Sequence, residues 1–227
     1  MAAQAESGDE GMAALERLCA AYYRPIYAYA RRKGSSPEDA EDLTQGFFGH
    51  VIASGLLAKP EPGAGRLRTY LLTAFRNFAA KERRRGLAKK RGGGNLEGAA
   101  IPRTSNRLES DYLCVADRQL TPEQAYERKW ALALIDAALG DVGECYARTG
   151  RKGLFEQLRE TLIGTFPARG YGELAEQLGI NEGAVRTAVH RLRSRFREAL
   201  LARVSETVVN QGEIEDELRH IKSVLAS

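Results

Sequence analysis

Tyr171-Gly172-Glu173-Leu174-Ala175-Glu176-Gln177-Leu178-Gly179-Ile180-Asn181-Glu182-Gly183-Ala184-Val185 is the stretch on which the fold turns. Tyr171 to Gln177 reads as a short helix, Leu178-Gly179-Ile180 as a turn, and Asn181 as the cap of a long helix running to about Val204. Ala175 is small where the second helix crosses closely over the first. Gly179 can take the positive φ that a tight turn needs. Val185 plugs the angle between the helices, and Leu174, Leu178 and Ile180 fill the space around it. These positions together make the helix-turn-helix pattern.

The second helix separates into two faces. Val185, Val189, Leu192, Phe196 and Leu200 recur at steps of three and four and form a buried stripe. Arg186, Thr187, His190, Arg191, Arg193, Ser194 and Arg197 lie opposite. In a recognition helix the early residues Glu182, Arg186, Thr187 and His190 reach base edges in the major groove. The later Arg191, Arg193 and Arg195 take phosphates. The plainer reading is an arginine-rich amphipathic helix that only stays in solvent. The turn ahead of it favours the DNA-reading one.

Outward from this motif, the 227 residues suffice for two small domains. Hydrophobic residues make up 43%, enough for real cores, while aromatics at 7% leave those cores to Leu, Ala and Val. Helix formers dominate and β-branched runs are nearly absent, so the expected fold class is all-α, with two helical domains on a flexible linker. The net charge of +4 conceals segregation. Residues 66–91 hold ten Lys/Arg and one acid, Glu82, whereas 35–50 hold Glu38, Asp39, Glu41 and Asp42 and no Lys or Arg. Separate surfaces for separate partners follow, with a polyanion the natural partner of the basic one. Cys19, Cys114 and Cys145 are widely spaced, and His50, His190 and His220 are equally scattered. That spacing excludes a disulfide framework or zinc site and points to a reducing compartment. No basic-then-apolar leader and no membrane-length apolar run is present, so a cytoplasmic location, no cofactor and no metal are expected.

The N-terminal half reads as three helices. Leu15, Leu18, Tyr22, Ile26 and Tyr29 form one stripe, and Leu43, Phe47, Phe48 and Val51 another. Between them Gly34 stops a helix, Ser36 caps the next, and Pro37 takes its first position. A Gly/Pro-rich loop spans 55–65, and a third helix runs from Arg66 to about Arg85 with Leu67, Leu71, Ala74 and Phe78 at helical steps. Lys89-Lys90-Arg91-Gly92-Gly93-Gly94-Asn95 and the aperiodic stretch after it read as a linker. Thr121-Pro122-Glu123-Gln124 is a capping box that restarts the helices, over 122–147 and 151–163. The expected boundaries are 12–86, a flexible linker 87–121, a second domain 122–204, and an acidic helical extension 205–227.

Tyr23-Arg24-Pro25-Ile26-Tyr27-Ala28-Tyr29-Ala30-Arg31-Arg32, Ser36-Pro37-Glu38-Asp39-Ala40-Glu41-Asp42-Leu43-Thr44-Gln45-Gly46-Phe47-Phe48 and Arg66-Leu67-Arg68-Thr69-Tyr70-Leu71-Leu72-Thr73-Ala74-Phe75-Arg76-Asn77-Phe78 closely resemble the second region of extracytoplasmic-function (ECF) RNA polymerase sigma factors. Tyr171 to Leu200 resembles their fourth region. The resemblance covers about two-thirds of the chain, in the family's order. It implies a DNA-binding transcription initiation factor, not an enzyme, with core RNA polymerase and promoter DNA as partners. Asp39, Asp42 and Gln45 would supply polar contacts to the clamp helices of the polymerase largest subunit, with Leu43 and Phe48 packing apolar surface there. Arg66, Arg68, Asn77, Lys81, Arg83, Arg84 and Arg85, with loop 55–65, would bind and melt the minus-ten element and hold a flipped base. The helix-turn-helix would read the minus-thirty-five element as duplex. Glu38 and Glu41 are first-turn acids favoured by the helix dipole.

The sequence departs from the family at named places. Gly46 stands where an acid usually follows the Gln, loop 53–65 is long with two prolines, and Gly140 to Gly164 replaces the usual opening of the fourth region. The tail beyond Val204 is additional, and Glu215–His220 is similar to the acidic ending of a divergent subgroup. Ile214, Leu218, Ile221 and Leu225 form one stripe there, so the tail is expected either to dock on the C-terminal domain as a regulator or to complete that domain's core. An anti-sigma protein is a further candidate partner. Two other readings compete: a dimeric helix-turn-helix repressor or activator, and a Mg²⁺-dependent enzyme on DNA. The second fails because the acids at 38–42 crowd one helix turn beside no nucleophile or base.

Overall fold

Caps and breakers set the order of elements in the computed structural model, which describes residues 18–54, 66–89, 108–110, 112, 119–162, 170–208 and 211–226. Every regular element among these residues is helical, so the fold class is all-α. The N-terminal residues with Leu15, loop 55–65, the glycine-rich run from Lys90 and Cys114 lie outside the described residues.

Helix α1 (residues 18–32) ends where Gly34 adopts φ +91° and its N–H donates to the Arg31 carbonyl. The Ser36 hydroxyl accepts from the Asp39 N–H at 3.0 Å and starts α2 (Pro37–Ser54). Helix α3 is Leu67–Lys89. At the next start Thr121 and Gln124 exchange side-chain and backbone bonds of 2.8 and 3.2 Å, opening α4 (Pro122–Arg148). Gly150, at φ +69°, separates α4 from α5 (Lys152–Leu158), which continues as a 3-10 turn over Arg159–Thr161. Then come α6 (Tyr171–Leu178), α7 (Glu182–Ser205), a 3-10 turn over Gln211–Glu213 and α8 (Ile214–Ala226). No helix among the described residues is long and apolar enough to cross a membrane.

The chain divides into two units, residues 1–133 with 207–227, and residues 134–206. In the first, Tyr22, Ile26, Tyr27, Phe47, Val51, Leu71, Phe75, Tyr126 and Trp130 are buried. Phe47 centres an aromatic cluster, with Phe48, Phe75 and Phe78 rings 5.3 to 5.8 Å away. The second is built on Val142, Tyr146, Leu158, Leu174, Ala175, Val185, Val189 and Leu192.

Four expectations are revised. The boundary at 122 moves, because the first three turns of α4 belong to the first unit. There the Tyr126 hydroxyl donates to the Arg68 carbonyl (2.8 Å) and the Trp130 indole N–H to the Tyr22 hydroxyl (3.0 Å). Part of the 87–121 linker is docked: Leu108 is buried, and Glu109 receives the Arg31 guanidinium and the Tyr27 hydroxyl, each at 2.7 Å. The tail, expected on the C-terminal domain, belongs instead to the first unit. The buried stripe of α3 is also rotated from the expected one. It runs through Arg68, Leu71, Leu72, Phe75 and Ala79, with Leu67, Ala74 and Phe78 half-buried.

Candidate functional site

Three surfaces carry the residues singled out in the sequence. The first is α2. Asp39 and Asp42 are exposed one turn apart, and Leu43 and Gln45 are half-buried beside them. Phe48, expected as an apolar contact at the surface, is only 3% exposed. Its ring stacks on Tyr23 (centroids 5.7 Å) and meets Phe47 edge-on, so it supports the acidic face from below. Burial and the nearby Glu41 carboxylate push the Tyr23 phenol up to about 12, against the hydrogen bond with Gln45. Gln45 therefore anchors a neutral phenol as well as lining the surface. Glu41 is buried, unlike the solvated first-turn acid expected. Gly46 has a packing reason: a Cβ there would stand 3.3 Å from the Phe78 ring. Ile52, half exposed near the end of α2, is a large apolar side chain the sequence reading did not single out.

The second surface is the outer face of α3. Asn77, Lys81, Arg83, Arg84 and Arg85 are exposed, as is Arg76, which belongs with them. Arg85 pairs with Glu82 at 2.8 Å, a solvent-exposed i,i+3 contact that holds it weakly. Arg66 and Arg68 stand apart from this set. Arg68 is 5% exposed and shared between Glu127 and Glu217, and Arg66 is half-buried against Glu217. The Arg68 guanidinium is closed off from solvent, while that of Arg66 is partly exposed but paired with Glu217. Arg68 shares the i, i+3, i+4, i+7 face with Leu71, Leu72 and Phe75, and that spacing would have revealed its burial.

The third surface is the α6–α7 pair in the second unit. Gly179 adopts φ +65° and ψ 27°, closing α6, and the Ile180 N–H returns to the Ala175 carbonyl at 3.1 Å. Asn181 caps α7 by accepting the Ala184 N–H at 2.8 Å. Ala175 and Val185 are both buried where the helices meet. Glu182, Arg186, Thr187, His190, Arg191, Arg193 and Arg195 are all exposed. Their surroundings differ. Arg186 pairs with Glu182 at 2.6 Å and lies 4.8 Å over the Tyr171 ring, two solvent-exposed contacts that bias its direction weakly. The Thr187 hydroxyl donates to the Gly183 carbonyl. Arg193 donates to the Thr161 carbonyl at 3.2 Å and Arg195 covers Tyr146 at 5.2 Å, so both also fasten α7 within the unit. Arg203 grips Asp141 through two bonds of 2.7 and 2.5 Å, a pairing across 62 residues that nothing local signals.

Known proteins match this chain in sequence. The sigma-70 region 2 family matches residues 18–88, the span of α1 to α3. An ECF RNA polymerase sigma factor, SigE, of Mycolicibacterium smegmatis is 27% identical over 202 residues, covering 88% of this chain and 67% of that protein. No solved structure matches. The sigma-70 region 2 match coincides with the three N-terminal helices and leaves α4 to α8 outside it. The chain is thus similar to sigma-70 region 2 over α1 to α3 and to an ECF RNA polymerase sigma factor along most of its length.

Proposed function

We propose that this chain is a sigma factor that joins core RNA polymerase through the acidic face of α2 and directs it to promoters read at two elements. The observation that carries the reading is one chain that holds both a region 2 match over 18–88 and, at 171–205, two helices around a left-handed Gly179 with a row of exposed basic side chains. Asp39 and Asp42 project from α2 free to meet cationic side chains, and the clamp helices of the polymerase largest subunit are the partner this family resemblance names. The minus-ten strand meets the exposed basic face of α3, where Asn77, Lys81, Arg83, Arg84 and Arg85 are joined by Arg76. A basic track beside a polar amide suits an unstacked, single-stranded base. The minus-thirty-five element is read as duplex by α7. Glu182, Arg186, Thr187 and His190 meet base edges, and Arg191, Arg193 and Arg195 meet phosphates.

The test is co-migration of the purified chain with core RNA polymerase on a native gel, wild type against Asp42→Arg. The wild-type chain shifts into the polymerase band, and the charge-reversed chain loses affinity at an ion-pairing surface. A wild-type chain that stays free, and binds duplex alone as a dimer, overturns the reading in favour of a conventional repressor or activator.

A further inference from the structure

The C-terminal helix brings an unusual amount of charge into a protein interior. Glu217 is 1% exposed, and each of its carboxylate oxygens faces a different guanidinium: Arg66 Nε lies 2.8 Å from Oε1 and Arg68 Nε 2.9 Å from Oε2. The other edge of Arg68 meets Glu127, with Nη1 2.5 Å from both oxygens, and the Arg68 guanidinium sits 5.3 Å over the Trp130 ring. His220 contacts the same Glu127 and lies against Trp130, ring centroids 6.2 Å apart. Trp130 is fully buried and holds Tyr22, whose phenol burial pushes up. Ile221, also buried, adds apolar contact one turn beyond Glu217. Residues of α1, α3, α4 and α8 thus share one polar network inside the first unit.

We infer that α8 is a strap that completes the first unit, so that the domain matched over 18–88 is finished only by residues 207–227. Three physical points carry this. A 13-residue helix does not hold its shape alone in water, so α8 is ordered by its docking. A buried arginine stripped of a carboxylate partner is strongly disfavoured, so Arg68 needs Glu217 as well as Glu127. The pairing of Glu217 with two arginines and of Arg68 with two carboxylates fits one docked geometry, which suits a segment that must find its site from the far end of the chain. Arg66 and Arg68 are then fasteners, and the DNA-facing part of α3 begins beyond them. The tail is required for activity, and whatever removes or captures it turns the factor off.

The experiment uses the single tryptophan, Trp130, as a reporter confined to the first unit. Its emission and thermal transition are followed in the full chain, in a chain ending at Glu206, and in the full-length variants Glu217→Gln and Asp216→Asn. Core polymerase binding is measured in parallel, and a synthetic 207–227 peptide is added to the truncated chain. Truncation is expected to shift Trp130 emission to the red and to lower the transition by about 10 °C or more. Glu217→Gln lowers it by a smaller step, Asp216→Asn leaves it within about 1–2 °C, and the peptide restores emission and polymerase binding. A truncated chain with unchanged emission and melting overturns the inference. So does one that binds polymerase or promoter more tightly, because the tail is then a brake. The functional arm rests on the polymerase-binding reading. If emission responds as stated while even the full chain fails to bind core polymerase, the strap stands and that reading falls.

Discussion

Replacing Gly179 with alanine separates conformational strain from packing at the turn between α6 and α7. Gly179 sits at φ +65°, and a Cβ added there would have nothing within 4 Å. No clash contributes, so the cost is the left-handed backbone itself, roughly 1–2 kcal/mol for an L-residue. Alanine also narrows the unfolded ensemble, which offsets about 0.4–1 kcal/mol. At mid-range the net loss is about 0.8 kcal/mol, or a ~4-fold fall in protection of amides that exchange through opening of this unit. Hydrogen exchange on the full-length chain reads this at the amides of Val189 and Leu192, which are buried in the core of the second unit. Gly179→Asn loses less, because asparagine tolerates the left-handed region. Amides in α1 and α2 keep their protection in both variants. Equal exchange of wild type and Gly179→Ala at Val189 and Leu192 would refute the turn geometry, and with it the positioning of α7.

Further outcomes follow from the same surfaces. Arg186→Ala relaxes base preference at one or two positions of the duplex site, whereas Arg191→Ala weakens all sequences alike and reduces the log–log salt slope by about one. Binding-site selection from a random duplex pool checks both. Tyr171→Leu broadens the same positions as Arg186→Ala, and Tyr171→Phe, which keeps the ring under the guanidinium, does not. The Arg31 guanidinium holds the Glu109 carboxyl below its ordinary range, with burial opposing. A lowered folded pKa means the pairing stabilises above the ordinary carboxylate value and is lost as pH falls through the lowered one. Docking of the 108–110 turn is therefore intact at neutral pH and released in acid, seen as loss of the folded Leu108 and Glu109 amide resonances. Arg31→Ala brings that release to neutral pH.

What the sequence made legible was local. Ser36 with Pro37, Thr121 with Gln124, and Gly179 with Asn181 each act within four residues, and each occupies the cap or turn expected of it. The residues on α7 expected to face a ligand are exposed for the same reason, since the 3.6-residue period that buries Val185, Val189 and Leu192 fixes the opposite face. What escaped was long-range. Arg68 and Glu217 are 149 residues apart, and no local rule pairs an acidic tail with the base of α3 rather than with the basic helix just before it. By family resemblance Arg68 faces DNA, yet its spacing with Leu71, Leu72 and Phe75 places it inside. The family resemblance puts Phe48 on the polymerase-facing surface, although it also falls on the apolar stripe of Leu43, Phe47 and Val51. Here Tyr23 folds over the second ring and removes it from solvent.

Transcription in vitro from a genomic DNA library, with purified core RNA polymerase and this chain as the only initiation factor, tests the central claim most directly. The account predicts transcripts that appear only when the chain is added and start downstream of two recurring elements, one near minus ten and one near minus thirty-five. It also predicts that Arg186→Ala degrades the upstream element alone. Transcripts that are absent, or that start without any shared upstream sequence, would contradict it.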